Sequence, residues 1–236
     1  MLYIGHRACM DDGPENSLTA IRRASRFVDR LELDVRRCGS GELVLHRDEH
    51  LTRLFGVDRP IAEVPYDELR ELRINDSEDH LPLLSEALSN IPDGVGAHIE
   101  LKSPALIPDA KKQLESSPVD VTIITGDTAV LDAIDDADWS VNTGFVFYDY
   151  EQVDAHVQTA IEYGCESIEM HFINAWGTSL VETAIDNDIE IIAGGGGLDP
   201  HVCGIHDELL VRKLEAIGVD GIMVDSWEPI VDGTLP

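Results

Sequence analysis

The chain has 236 residues, 43% of them hydrophobic, enough for one substantial core and better suited to a single large α/β domain over residues 1–236 than to two small ones. Acidic residues number 46 against 17 basic ones, only four of them lysines (Lys102, Lys111, Lys112 and Lys213), and the formal charge is −29. Nucleic acid and anionic membrane both need clustered positive charge, which this composition lacks, and no apolar run approaches the ~18 residues that would cross a bilayer.

Short apolar, β-branched runs alternate with helical patterns along the chain. Strands are expected at 2–6 (LYIGH), 31–35 (LELDV), 42–46 (ELVLH), 95–101 (VGAHIEL), 119–125 (VDVTIIT), 142–147 (NTGFVF), 166–170 (ESIEM), 188–193 (DIEIIA) and 219–224 (VDGIMV). Helices are expected at 17–28, opened by Asn16 or Ser17 as N-cap, and at 66–72, 83–90, 151–163, 176–187 and 207–217. Nine strands are one too many for an eight-stranded barrel. The surplus strand is 42–46: only about six residues separate it from 31–35, too few for a parallel crossover of about a dozen, so it folds back antiparallel. The other eight fit a (β/α)8 TIM barrel with a β-hairpin extension after the second strand.

Barrel active sites lie at the C-terminal ends of the strands. Those ends carry His6 and Arg7, Glu32 and Asp34, Glu100 and Lys102, Glu169 and His171, the glycines 194–197, and Asp225. Glu32 and Asp34 are one residue apart, so both point to one face of their strand, and charged carboxylates facing a barrel interior need cations. With Glu100 beside them they form an oxygen-only set suited to Mg²⁺ or Ca²⁺; the plainer alternative is a salt-bridge layer with Arg7 and Lys102. The cysteines (Cys9, Cys38, Cys165, Cys203) form no CxxC pair and read as reduced thiols.

The run "IGHRACMDDGPENSLTAIRRA" followed by "LELDV" resembles the glycerophosphodiester phosphodiesterase family, whose pattern is H-R-G, P-E-N-T, an alanine-spaced helix, then E-x-D-V. His6, Arg7, Pro14, Glu15, Asn16, Glu32, Asp34 and Val35 match; Ala8 and Ser17 stand where glycine and threonine are usual. "LPLLSEAL" at 81–88, "IELK" at 99–102 and "AIGVDGIMVD" at 216–225 extend the likeness over nearly the whole chain. The resemblance implies Glu32, Asp34 and Glu100 as metal ligands, His6 in acid–base catalysis, and Arg7 and Lys102 on phosphate oxygens. It also implies that Glu15 orients the His-Arg strand end and that Asn16 caps the helix.

The sequence departs from that pattern in two places. In "ELVLHRDEHLTR" at 42–53 the family's second histidine falls on Arg47, with Asp48, Leu51 and Arg53 in register, while His46 comes one position early. A two-residue Gly39-Ser40 turn, the preferred reading, would set Arg47 opposite Glu32 and facing the site. A three-residue Gly39-Ser40-Gly41 loop would set His46 opposite Asp34 instead. His46 thus stands as a second catalytic candidate and Arg47 as a phosphate-binding one; His50 is expected to be solvated. The other departure follows the seventh barrel strand, where "IIAGGGGLDPH" lacks the family's tryptophan. Its glycines could cradle a phosphate or form a plain loop, and Trp176 and Trp227 are candidates for a replacement aromatic wall. His171 is a candidate proton donor or a satisfied rim residue, and His98 is unassigned.

The resulting expectation is a metal-dependent phosphoric diester hydrolase that cleaves a small-molecule glycerophosphodiester to an alcohol and glycerol phosphate, in lipid or phospholipid metabolism. The alternative is a weak or inactive phosphate-ester-binding barrel, because Arg47 replaces a proton carrier. Dense carboxylates with few lysines suggest a protein kept soluble in high salt. No signal peptide is expected, which with that charge points to a halophile-type cytoplasm, with no nucleic-acid partner and no membrane insertion.

Overall fold

A computed structural model describes residues 1–176, 179–195 and 201–235. Nine strands form one sheet: β1 (Leu2–Gly5), β2 (Arg30–Arg37), β3 (Leu43–Leu45), β4 (Gly96–Leu101), β5 (Val121–Thr125), β6 (Asn142–Phe147), β7 (Ser167–His171), β8 (Glu190–Gly194) and β9 (Gly221–Val224). All but β3 are parallel neighbours in the order β1-β2-β4-β5-β6-β7-β8-β9, and β9 pairs back onto β1 to close an eight-stranded TIM barrel. The helices are α1 (Leu18–Ala24), α2 (Thr52–Phe55), α3 (Tyr66–Leu69), α4 (Leu84–Leu88), α5 (Ile107–Leu114), α6 (Thr128–Asp136), α7 (Val153–Glu162), α8 (Leu180–Asp186), α9 (Glu208–Ala216) and α10 (Glu228–Val231). Most lie between consecutive parallel strands, as the length of a parallel crossover requires.

Alternation along each strand sorts the side chains. On β2, Leu31, Leu33 and Val35 point outward into the main core shared with the helices, and Glu32 and Asp34 point inward. Inside the barrel Ile4, Ile192 and Met223 form a small apolar cluster with Leu2 and Cys203 packed on it, and Ile124 and Val146 line its cavity. Charged and polar side chains take much of the remaining space, which raises the cost of any unpaired group there.

β2 outruns the barrel. Its first residues, Arg30 and Leu31, pair with β1, and its last three pair antiparallel with β3 as Val35↔Leu45, Arg36↔Val44 and Arg37↔Leu43. The turn is therefore the three-residue Gly39-Ser40-Gly41 loop, not the two-residue turn preferred from sequence. Both glycines are required there. Gly41 has φ +104°, and a Cβ on Gly39 would lie 2.8 Å from the passing backbone of Glu63 and Val64. Residues 52–81 lie over this hairpin with a second core of their own, built on Val44, Leu51, Leu54, Ile61, Leu69, Ile74 and Leu81.

Candidate active site

At the C-terminal end of the barrel opens a cavity of about 450 Å³ lined by His6, Arg7, Glu32, Asp34, Arg47, Glu100, Lys102, Tyr148, Glu169, His171 and Cys203, among others. Its floor begins with an unusual backbone. Arg7, Ala8 and Cys9 all have φ between +48° and +63°, left-handed conformations that oppose an L side chain. This bend aims the Arg7 N–H at Glu32 Oε2 (2.8 Å) and turns the His6 ring towards β9.

His6 Nδ1 lies 2.6 Å from Asp225 Oδ1, and the other Asp225 oxygen accepts the backbone N–H groups of Cys203 (3.1 Å) and Gly204 (2.6 Å). Burial opposes protonation of His6, but the hydrogen bond to Asp225, aided by Cys203 and Glu32, outweighs it and raises the imidazole to about 10. Asp225 fixes the ring by Nδ1, Cys203 lies against it, and the ring lines the cavity.

Glu32, Asp34 and Glu100 bring one oxygen each to within 4.8 Å of one another. Lys102 Nζ bridges Asp34 Oδ1 (2.6 Å) and Glu100, and Arg7 Nε lies 3.6 Å from Asp34 Oδ2. Asn16 holds Asp34 from both sides, donating from Nδ2 to Oδ2 (3.1 Å) and accepting the Asp34 N–H (3.3 Å). Burial opposes ionisation of Asp34, but Lys102 and Arg7 overcome it and hold the carboxyl well below the usual range. Glu32 differs. It is 3% exposed and has no cationic side chain as ion-pair partner among the described residues; burial and the adjacent Asp34 push it up to about 8. The salt-bridge layer therefore satisfies Asp34, whereas burial raises Glu100 despite Lys102 and Glu32 has only the Arg7 N–H as a direct partner, so this all-oxygen set fits a hard divalent ion. Such an ion must displace a proton from Glu32 below about pH 8. Affinity for Mg²⁺ or Ca²⁺ is then expected to rise about tenfold per pH unit towards that value. Calorimetry in buffers of different ionisation heat, reading released protons, checks this.

The glycerophosphoryl diester phosphodiesterase family profile matches residues 6–228. The chain belongs to that family. Solved structures agree on the fold. A phosphodiesterase from Oleispira antarctica, solved with the product sn-glycerol-3-phosphate, has TM-score 0.85 at 22% identity over 99% of this chain and 96% of its own. Glycerophosphodiester phosphodiesterases from Thermotoga maritima (TM-score 0.80, 24% identity, 98% and 97% covered) and Agrobacterium tumefaciens (0.81, 20%, 98% and 99%) are similar. No match was found among curated protein sequences.

As a glycerophosphodiester phosphodiesterase-like enzyme, the chain brings His6, Arg7, Glu32, Asp34, Glu100 and Lys102 to one cavity. The two "HR" candidates part company. The three-residue loop sets His46 opposite Asp34, its N–H donating to the Asp34 carbonyl (2.9 Å), yet residues 51–55 cover that face. His46 is fully buried, its Nε2 donates to the His50 carbonyl (3.2 Å), and its ring lies 6.0 Å from Phe55; it does not line the cavity. Strand alternation stops at Leu45, and Arg47, beyond it, reaches the cavity. Each turn geometry was thus half right: the loop that faces His46 inward is the one present, but the residue that arrives is Arg47.

Other expectations need revision. Ser17, not Asn16, caps α1, accepting the Ala20 N–H (3.0 Å), because Asn16 is committed to Asp34. Trp227 stacks on Phe27 (5.7 Å) and Trp176 meets Phe172 edge-on; neither lines the cavity. The aromatic wall comes instead from β6 and β7. A Cβ on Gly194 would lie 2.8 Å from Tyr148 Oη, and one on Gly195 would collide with the His171 ring. The small residues that replace the tryptophan are what admit these two side chains. Gly196 and Gly197 lie outside the described residues. Asp48 and Arg53, read only as register markers, form with buried Glu15 a half-exposed ladder: Arg53 donates twice to Glu15 (2.6 Å each) and once to Asp48 (2.7 Å), and Arg47 donates to Asp48 (3.2 Å). An acid in "PEN" with no basic neighbour in sequence was the available signal.

Proposed function

We propose that this chain hydrolyses glycerophosphodiesters to an alcohol and glycerol phosphate in a divalent-metal-dependent reaction, with His6 as the proton-transfer residue. The observation that carries this reading is the His6–Asp225 pair on the cavity that also holds the Glu32, Asp34 and Glu100 carboxylates. Those three carboxylates would hold Mg²⁺ or Ca²⁺, which supplies charge stabilisation for the phosphoryl oxygens when bound. Lys102 and Arg7 keep Asp34 ionised and oriented, and Arg47, whose one ion pair among the described residues is with Asp48 (3.2 Å), is the cation with most capacity left for a phosphate oxygen. His6, held by Asp225, carries a proton to the leaving oxygen. The inactive-barrel alternative rests on Arg47 alone, whereas the remaining machinery is complete around it.

A role in phospholipid turnover and a salt-rich cytoplasmic setting belong to the same proposal, the latter supported by the charge of −29. Among the described residues no helix is long and apolar enough to cross a membrane. The test is release of alcohol from glycerophosphodiesters at molar salt with Mg²⁺, with Ca²⁺ and with chelator, in wild type and Glu32→Gln. Turnover that requires the cation and falls by about 10² or more in the variant is expected; chelator-resistant turnover would overturn the metal role, and no turnover at all would overturn the activity.

A further inference from the structure

Four side chains cross the barrel interior in series beneath the cavity. Arg30 Nη1 donates to Glu190 Oε2 (2.7 Å) and to His98 Nε2 (3.0 Å), and His98 Nδ1 lies 2.5 Å from Glu169 Oε1. A guanidinium can only donate, so Nε2 of His98 accepts and its N–H sits on Nδ1, directed at Glu169. The tautomer is fixed from both ends. His98 is fully buried and Glu169 is 2% exposed.

Stability alone is a poor reason for this arrangement. Buried ionic groups seldom outperform apolar ones of similar size, and Ile4, Ile192 and Met223 show that apolar side chains pack inside this barrel. Glu169 also lines the cavity, and its Oε2 has no hydrogen-bond partner among the described residues. β7 stands opposite β2 in the closed barrel, so Glu169 faces the Glu32 and Asp34 side from across the cavity. A carboxylate there repels phosphate. An ionised carboxylate is an acceptor only, and the part of a phosphodiester it can hold is a hydroxyl group.

We propose that Glu169 binds the polyol hydroxyls of the substrate, with His98 as its positioning residue and Arg30 fixing His98. This rests on the glycerophosphodiester reading given above. The phosphate end would sit against β1, β2 and β4, and the hydroxylated end against β7. Specificity would then arise from Glu169, because a diester lacking hydroxyls leaves a buried carboxylate oxygen unpaired.

The experiment compares binding of sn-glycerol 3-phosphate and of inorganic phosphate to the metal-loaded protein, in wild type, Glu169→Gln, Glu169→Asp and His98→Gln. Glu169→Gln is expected to weaken glycerol phosphate by about tenfold or more and leave inorganic phosphate unchanged, the size of a lost charge-assisted hydrogen bond. Glu169→Asp, which keeps the charge, stands in if the glutamine variant fails to fold, and His98→Gln should show a smaller loss of the same kind. In turnover, the kcat/KM ratio of a glycerol diester to its deoxy counterpart should fall by a similar factor. Should only diesters with a hydroxylated headgroup lose that preference, Glu169 reads the headgroup hydroxyls rather than the glycerol. Parallel loss of both ligands, or of neither, overturns the proposal. If wild type turns over no diester, the activity reading fails while the binding comparison still decides the role of Glu169.

Discussion

His6→Ala is expected to lower glycerophosphodiester turnover by about 10²–10⁴ while the protein stays folded, the loss typical of a missing general acid or base. The upper part of that range is expected because Arg47, where relatives carry a second histidine, holds no proton it can give up near neutral pH. Asp225→Asn should reproduce much of the loss, since it frees the imidazole and removes the partner that raises it to about 10. The linkage has a definite sign. A histidine raised on folding contributes stability that is fully present below its unfolded value near 6.5 and fades as pH rises through about 10. The stability gap between wild type and Asp225→Asn should therefore be widest around pH 5–6 and shrink towards pH 10, read by urea unfolding across that range. Turnover of His46→Ala is the control: its kcat should stay within a few-fold of wild type, because that ring belongs to the second core. A full loss of activity in His46→Ala with unchanged stability would sink this assignment.

Glu15→Gln should destabilise the protein by about 3 kcal/mol at neutral pH. Removing one partner from a buried charge network is costly, and here Arg7 (1% exposed side chain) is left with Asp34 alone and Arg53 with Asp48 alone. The figure sits at the low end of the usual range because Arg53 is 30% exposed and water screens part of the damage. Burial opposes ionisation of Glu15, but the hydrogen bonds from Arg53 and the charge of Arg7 prevail and lower its titration. An acid depressed on folding contributes stability above its unfolded value, near 4.5, and loses it as pH falls through the folded one. The thermal-unfolding gap between wild type and Glu15→Gln should accordingly narrow as pH falls from 4.5 through the lowered titration of Glu15, and a gap that does not narrow on acidification would contradict the ladder.

The barrel was legible because each of the sheet's nine strands shows in a short β-branched run, and because a six-residue gap between two of them forbids a parallel crossover, leaving eight for the barrel. Observed strand ends lie within two residues of expectation, and both ends of β6 coincide with it. The carboxylate set was legible for a similar local reason, since E-x-D on a strand must share a face. Three things were not. The cover over His46 depends on residues 51–55 folding back, a tertiary contact that strand parity cannot express. The aromatic wall moved from β8 to β6 and β7, where Tyr148 and His171 occupy space vacated by glycines distant in sequence. Asp225, noted only as lying at a strand end, gains its role from a 2.6 Å contact with His6, 219 residues away.

The second core over the hairpin divides the molecule's resilience. Residues 52–81 carry their own apolar cluster and meet the barrel through β3, α4 and the charged ladder from Glu15 to Arg47. A segment built this way can open as a cooperative unit while the barrel persists. Arg53 would leave with it, taking its bonds to Glu15 and Asp48, whereas His6, Asp225 and the three carboxylates sit on or beside the barrel strands. The arginines at the cavity rim and the His6–Asp225 pair are thus held by different parts of the fold, and the first can loosen without the second unfolding.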